Sequence, residues 1–380
     1  MADAPILKTD TDDRHLTKPP TLDEQPSEDP AEYPMYNPRG WSLRTKLITA
    51  IVCLAAIIGI IVGAVEGSKA SRYPEYSPLD YRLVDSYFGM SFFDQFRYFD
   101  EEDPTEGFVK YVNKTTAQQL NLTYATPSSA TLRIDTSTKN ATHGRNSVRI
   151  ESKKTYDDGL FIFDIIHTPY GCGTWPALWL TDGYNWPDNG EIDVLEVTNN
   201  GTDGNAVTLH TTPGCNMDVK RKHTGSVTYT TCDNSTNSNA GCGVQGSSLT
   251  YGEEMNEKGG GIYALELRPA GIRAWFFPRH SIPADLNIRN STTSSKPDPS
   301  KWGTALADFP NTSCDIPSHF RNQSIVANID LCGQWGGAPN VYSGQWDCPG
   351  KCEEFVARNP ERFEKAYWEF GGFWVYQASI

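Results

Sequence analysis

Basic side chains are in short supply in this chain: 33 Lys and Arg stand against 47 Asp and Glu, a formal net charge of −14. Phosphate backbones need a basic face, so nucleic acid is excluded as a partner, whereas a neutral polymer such as a glucan carries no such requirement. Charge of either sign makes up only 21% of the residues and hydrophobic residues 38%, which argues against a largely disordered chain. Long helical periodicity is scarce, and no internal repeat is found. Cysteine is nearly missing from the first half, where Cys53 stands alone before Cys172. The eight that follow, Cys172, Cys215, Cys232, Cys242, Cys314, Cys332, Cys348 and Cys352, form an even set that suggests disulfides in an oxidising compartment. Cys348 and Cys352 are close, yet no second close Cys or His pair joins them, so a zinc site is rejected. The pairings are left open.

What the chain does have is one uncharged run, "LITAIVCLAAIIGIIVGAV", at residues 47–65. As a helix it spans about 28 Å, close to the hydrocarbon core of a bilayer. It is too long and begins too late for a cleaved signal peptide. Flanking charge nearly ties: Arg39, Arg44 and Lys46 precede it, and Lys69, Arg72 and Arg82 follow. Glycosylation sequons break the tie, because all eight (Asn113, Asn121, Asn140, Asn200, Asn234, Asn290, Asn311 and Asn322) lie after the span. The expectation is a single-pass type II protein with a cytosolic N-terminus and an extracellular or lumenal C-terminal part. Gly59 and Gly63 form a G-x-x-x-G pattern that suits a weak helix-mediated dimer.

The expected organisation is therefore a disordered tail over 1–46, a transmembrane anchor over 47–65, a linker over 66–82 and a globular domain over 83–380. Within that domain short apolar runs alternate with Gly, Pro and Asn clusters: "GLFIFDIIHTP", "PALWLTDG", "EIDVLEV" and "AVTLHTT". "ALELRPAGIRAWFFPR" reads as a hairpin turning at Pro269 to Gly271. "SIVANIDL" and the aromatic "AYWEFGGFWVYQ" read as further strands. Many short strands in one large domain predict an all-β sandwich or jelly roll.

The run that needs explaining is "WPDNGEIDVLEVTNN", in which Glu191, Asp193 and Glu196 alternate with apolar residues. In a regular strand Glu191 and Asp193 share a face and Glu196 points to the other. One residue bulged out would return Glu196 to the first face. The two glutamates would then resemble an i, i+4 pair, their Cα atoms about 13 Å apart. Side chains leaning together would leave the carboxyl groups about 5 Å apart. Retaining glycosidases use a separation of ~5–5.5 Å and inverting ones ~6.5–9.5 Å. Such chemistry needs one carboxylate ionised to attack and one carboxyl protonated to release the leaving group, and close like charges, with Asp193 between them, push two such groups towards different states.

"NGEIDVLE" fits the E-x-D-x-x-E motif of glycoside hydrolase family 16. "GCGTWPALWL", "NWPDNGEIDVLEVTNN", "TLHTTPGC", "AGCGV", "LCGQWGG" and "VYSGQWDCPGKC" follow in the order seen in fungal laminarinase-like members. The resemblance covers about residue 85 to the C-terminus. It implies a β-jelly roll with a glycan cleft on its concave face, with Glu191 as nucleophile, Glu196 as acid/base and Asp193 assisting. It also implies sugar contacts for Trp179, Trp186 and Trp335, whose flat apolar faces suit pyranose rings, and a cleft position for His210; Trp175, close before the motif, is a further candidate on its ring chemistry alone. The implied activity is retaining endo-hydrolysis of β-1,3 or mixed β-1,3/1,4-glucan, such as that of a cell wall. Some members bind calcium on the convex face, but no D-x-D-x-D-G loop occurs here, and no catalytic metal or cofactor is expected. The Ser- and Asn-rich runs around Asn234 and over 288–298 look like surface insertions. Two other readings compete: a glucan transglycosylase using the same carboxylates, and a silent glucan-binding receptor. The receptor should have lost Glu191 or Glu196, and both are present.

Overall fold

A computed structural model describes residues 40–70, 72–286 and 296–379. The tail before residue 40, the sequon at Asn290 and the Ser-rich run up to residue 295 lie outside the described residues.

The first part is one helix, Leu43–Ala70, which begins where Ser42 Oγ accepts from the Thr45 N–H at 3.2 Å. It runs beyond the uncharged stretch at both ends. Ile48, Ile51, Val52, Leu54, Ile57, Ile58 and Ile61 are all exposed. Among the described residues this is the one helix long and apolar enough to cross a membrane.

The second part is a sandwich of two eight-stranded sheets in which every pairing is antiparallel. One sheet runs Ser226–Val227, Cys242–Gln245, Ala206–His210, Glu191–Glu196, Thr174–Thr181, Gln323–Leu331, Arg149–Tyr156 and Phe96–Phe99. The other runs Ala307–Pro310, Gly271–Pro278, Gly261–Arg268, Gly159–His167, Tyr367–Ala378, Ala130–Arg133 and Thr123–Ala125, with Tyr81–Tyr87 also paired to Tyr367–Ala378. The predicted hairpin is present: Arg268 pairs with Gly271, leaving a two-residue turn at Pro269 and Ala270.

The strand Gly159–His167 shows why some runs are continuously apolar. Phe161, Phe163 and Ile165 point into the space between the sheets, where they meet Phe370, Phe373, Leu178, Leu180, Ile192 and Leu195. Leu160 and Ile162 point the other way into a second apolar cluster with Tyr81, Trp275, Trp302 and Trp374. Both faces are buried, so no polar alternation is required. Truncating Phe161 or Phe163 to Ala should cost about 3–5 kcal/mol.

The expected linker is only partly one. Tyr81 is buried, and its hydroxyl donates to Glu266 at 2.8 Å. Tyr76 donates to Asp308 at 2.5 Å and carries the Arg273 guanidinium 3.9 Å above its ring. The domain therefore takes up residues upstream of 83, because two Tyr side chains satisfy carboxylates on the outer face of the second sheet.

All eight later cysteines are paired: Cys172–Cys348, Cys215–Cys314, Cys232–Cys242 and Cys332–Cys352. The close Cys348 and Cys352 thus bind two different partners rather than a metal.

Candidate active site

The acidic strand starts at a glycine for a steric reason. Gly190 has φ +70°, and a Cβ there would meet the His319 carbonyl oxygen at 2.4 Å, so only glycine fits. From Glu191 to Asp193 the strand is regular, with Glu191 opposite Thr181 and His210, and Asp193 opposite Trp179 and Thr208. The register then slips: Leu195 faces Leu178 and Glu196 faces Ala177 and Ala206. Val194 is the extra residue. Ile192, Val194 and Leu195 all enter the core between the sheets, while Glu191 and Glu196 stay half-buried on the opposite, open face with Asp193 between them. This is the bulge that the spacing of the acids required.

A bulge frees backbone groups that need partners. Asn205, fully buried, supplies them: its Oδ1 accepts from Glu196 N at 2.8 Å and its Nδ2 donates to the Val194 carbonyl at 2.7 Å. Thr250 Oγ1 in turn accepts from Asn205 N at 2.8 Å. Asn205 was not legible in advance, since an Asn in "TDGN" looks like any turn residue.

The next strand provides the surroundings. Trp175, Ala177 and Trp179 share the open face, the small Ala177 lying between two indoles and beside Glu196. Trp175 Nε1 donates to Glu196 Oε1 at 2.8 Å, and its ring meets Trp335 edge-on at 5.6 Å. Trp335 sits on the short helix Gly333–Gly336 and is 38% exposed, free to offer a ring face. Trp179 is more committed: Nε1 donates to Asn328 Oδ1 at 2.9 Å, and the Arg149 guanidinium lies 4.9 Å over its ring. Trp186 lies outside the strand on the 182–190 loop, which Asp182 pins by accepting from the side chains of Asn185, Asn189 and Asn322. From there its indole acts on Glu191, favouring the charged carboxylate, while 41% of it remains exposed. Arg149, Asn328 and Asp182 join Asn205 as site residues that no sequence signal marked.

His210 is buried against the acids, its Nε2 3.3 Å from Asp193 Oδ2 and 4.0 Å from Glu191 Oε1. Its Nδ1 faces Asn239 Oδ1 at 2.9 Å, so the segment around Asn234 is no mere surface insertion but reaches the site. Burial works against a charge on the ring, yet the Asp193 carboxylate 3.3 Å from Nε2, with those of Glu191 and Glu196, outweighs it and pushes His210 up to about 10. Burial, and then the Asp193 carboxylate, raise both Glu191 and Glu196 above the usual carboxylate range. His210 and the Trp186 indole draw Glu191 back down, and the Trp175 bond and His210 do the same for Glu196. Glu191, Asp193 and His210 bring donor atoms within 4.8 Å of one another. The arrangement holds two partly desolvated carboxyls next to a fixed cation, which is what a site needs to keep one ionised and one protonated.

Comparison with known proteins agrees with this chemistry. Residues 96–376 match the family described as XgeA-like, catalytic GH16 domain. A probable glycosidase of Schizosaccharomyces pombe is 46% identical over 310 residues, 80% of this chain and 71% of that protein. A probable endo-1,3(4)-beta-glucanase of Aspergillus clavatus is 38% identical over 332 residues, 84% of this chain and 50% of that protein. The structure of GH16 laminarinase 16A from Phanerochaete chrysosporium, with beta-glucans in both donor and acceptor sites, superposes with a TM-score of 0.75 at 43% identity, covering 78% of this chain and 99% of that one. That of an elongating GH family 16 beta-1,3-glucosyltransferase superposes with a TM-score of 0.71 at 38% identity, covering 78% and 100%.

Proposed function

Because the chain belongs to glycoside hydrolase family 16, we propose that it is a membrane-anchored retaining endo-β-glucanase acting on β-1,3 or mixed β-1,3/1,4-glucan. The observation that carries this reading is the bulge at Val194, locked by Asn205, which turns Glu191, Asp193 and Glu196 to one open face.

In the first step the Glu191 carboxylate attacks the anomeric carbon. The bond from that carbon to the leaving glycosidic oxygen breaks, and Glu196 gives its proton to that oxygen. In the second step Glu196 takes a proton from water, whose oxygen attacks the same carbon and frees Glu191 with the configuration retained. Asp193, with His210 against it, sets the field in which the two glutamates differ. Trp186 and Trp335, each with exposed ring surface, stack on glucosyl units, while Trp175 and Trp179 position the acids and the sheet beneath the sugar.

The helix Leu43–Ala70 holds this domain at a bilayer, with the disulfide-bonded part on the extracellular or lumenal side, where a fungal-type wall glucan is within reach. Gly59 and Gly63 give that helix a surface for weak pairing with a second copy.

A second reading has one observation in its favour, the likeness to the elongating glucosyltransferase. There a sugar hydroxyl replaces water in the second step. Both readings are tested by incubating the purified full-length protein in detergent with laminarin and with mixed-linkage β-glucan, beside Glu191→Gln. Short products that are first released as β-anomers and vanish in the variant support hydrolysis. Products longer than the starting chains support transfer, and binding without turnover overturns both.

A further inference from the structure

The outer edge of His210 is gripped by a small closed segment. The Cys232–Cys242 disulfide ties off its ends. Inside it, Asn237, Ser238 and Asn239 take left-handed φ values of 51°, 56° and 59° in succession, a conformation that L residues adopt only when the surroundings demand it and that Asn tolerates best. Hydrogen bonds from Thr236 N to Asp233 O, Asn239 N to Thr236 O and Ala240 N to Asn237 O hold the turn. Gly241 follows at φ +64°, and a Cβ there would stand 2.8 Å from His210 Cε1 and 2.6 Å from the Leu209 carbonyl oxygen. The backbone thus approaches the imidazole as closely as a residue without a side chain allows.

This turn delivers Asn239 Oδ1 to His210 Nδ1 at 2.9 Å, while Nε2 faces Asp193 and Glu191. With an acceptor 2.9 Å from Nδ1 and the Asp193 carboxylate at ion-pair distance, 3.3 Å, from Nε2, the surroundings favour a ring that carries two protons. Resting on the assignment of Glu191 as nucleophile, we propose that Asn239 is a positioning residue: acting through His210, it fixes the ring and its second proton so that a cation stands against Asp193 and Glu191. The charged groups facing the ring are Glu191, Asp193 and Glu196 of the acidic strand. Asp233, on the closed segment itself, spends its carboxylate on Ser235 N and Oγ.

The test uses the full-length protein in detergent with Asn239→Ala and Asn239→Asp. Three readouts are compared: the pH profile of kcat/KM on laminarin, thermal melting, and the pH titration of the His210 ring by NMR, its signals assigned through their loss in His210→Gln. In Asn239→Ala the acidic limb should move up by about half a pH unit or more, because a weakened cation no longer favours ionised Glu191. The His210 ring should also lose its second proton at lower pH than in the unmodified protein. Asn239→Asp, which keeps an acceptor, should leave the limb at or below its original position. A profile for Asn239→Ala that superimposes on the unmodified one, or that drops equally at every pH with a lowered melting temperature, would overturn the proposal, as would an unchanged His210 titration. The ring titration decides the matter even if Glu191→Gln keeps its activity, an outcome that would refute the nucleophile assignment instead.

Discussion

Trp175 donates its indole N–H to Oε1 of Glu196 at 2.8 Å, so the carboxyl assigned as acid/base is held by a donor that favours its charged form. Trp175→Phe keeps most of the packing against Trp335 and removes only that donor. Glu196 should then hold its proton to higher pH, and the basic limb of kcat/KM should move up by about half a unit. The pH–rate profile of this variant, taken with its melting temperature, checks it. A basic limb that stays in place would mean that the bond does not act on Glu196 in solution.

The two glutamates should fail in different ways. Glu191→Gln removes the attacking group, and turnover should fall by roughly 10³-fold or more. Glu196→Ala removes the proton donor and the later base, so an aryl glucoside that needs no acid help should still load Glu191. Added azide should then restore turnover and yield a β-glucosyl azide in that variant alone. A β-glucosyl azide from the Glu191 variant instead, or an α-glucosyl azide from the Glu196 variant, would interchange the roles.

Burial, and then Asp193, raise both carboxyls, and the consequences have a definite sign. Activity needs Glu191 ionised and Glu196 protonated, so both limbs of the bell should lie above the ~4.3 of a free Glu. Asp193→Asn should draw both limbs down. Stability follows the same shifts. Below the unfolded pKa both states are protonated and these groups cost nothing. As pH rises towards the folded pKa, the unfolded chain has ionised while the folded site still holds its protons, so stability is lost. Glu196→Gln cannot ionise and should melt a few degrees higher than the unmodified protein at pH 8, with the gap closing near pH 4.

Tyr76 and Tyr81 predict where the domain can be cut. A fragment beginning at residue 72 keeps the bonds to Asp308 and Glu266, and one beginning at 83 leaves these buried carboxylates without their Tyr donors. Each lost partner costs about 1–3 kcal/mol. The shorter fragment should melt well below the longer one, with the same products on laminarin. Equal melting temperatures would show that the upstream residues are dispensable.

The strands and the acidic face were legible because hydrophobic alternation and acid spacing are local signals. Glu191, Asp193 and Glu196 can share a face only if a residue is bulged out, so six positions imply a feature of the sheet. What holds the bulge is not local. Asn205 lies nine residues from Glu196, and its identity carries no pattern. Asn239 reaches His210 only because Cys232 pairs with Cys242, and eight cysteines alone do not reveal their partners. The family resemblance gave Trp179 a sugar contact, and one face of it is taken by Arg149 from a strand 30 residues away in sequence. Residues 72–82 looked like a tether because Pro and Ser punctuate them, and their Tyr side chains find partners about 185 and 232 residues further on.

The Cys332–Cys352 and Cys172–Cys348 bridges have a consequence for how the protein ages. The excursion between Cys332 and Cys348 carries Trp335, and each end is bonded to another segment of the domain. A wall protease that nicks it at the exposed Gly344–Gln345 stretch would therefore release nothing. Both new ends would stay covalently attached, leaving a two-chain enzyme whose acidic strand is untouched.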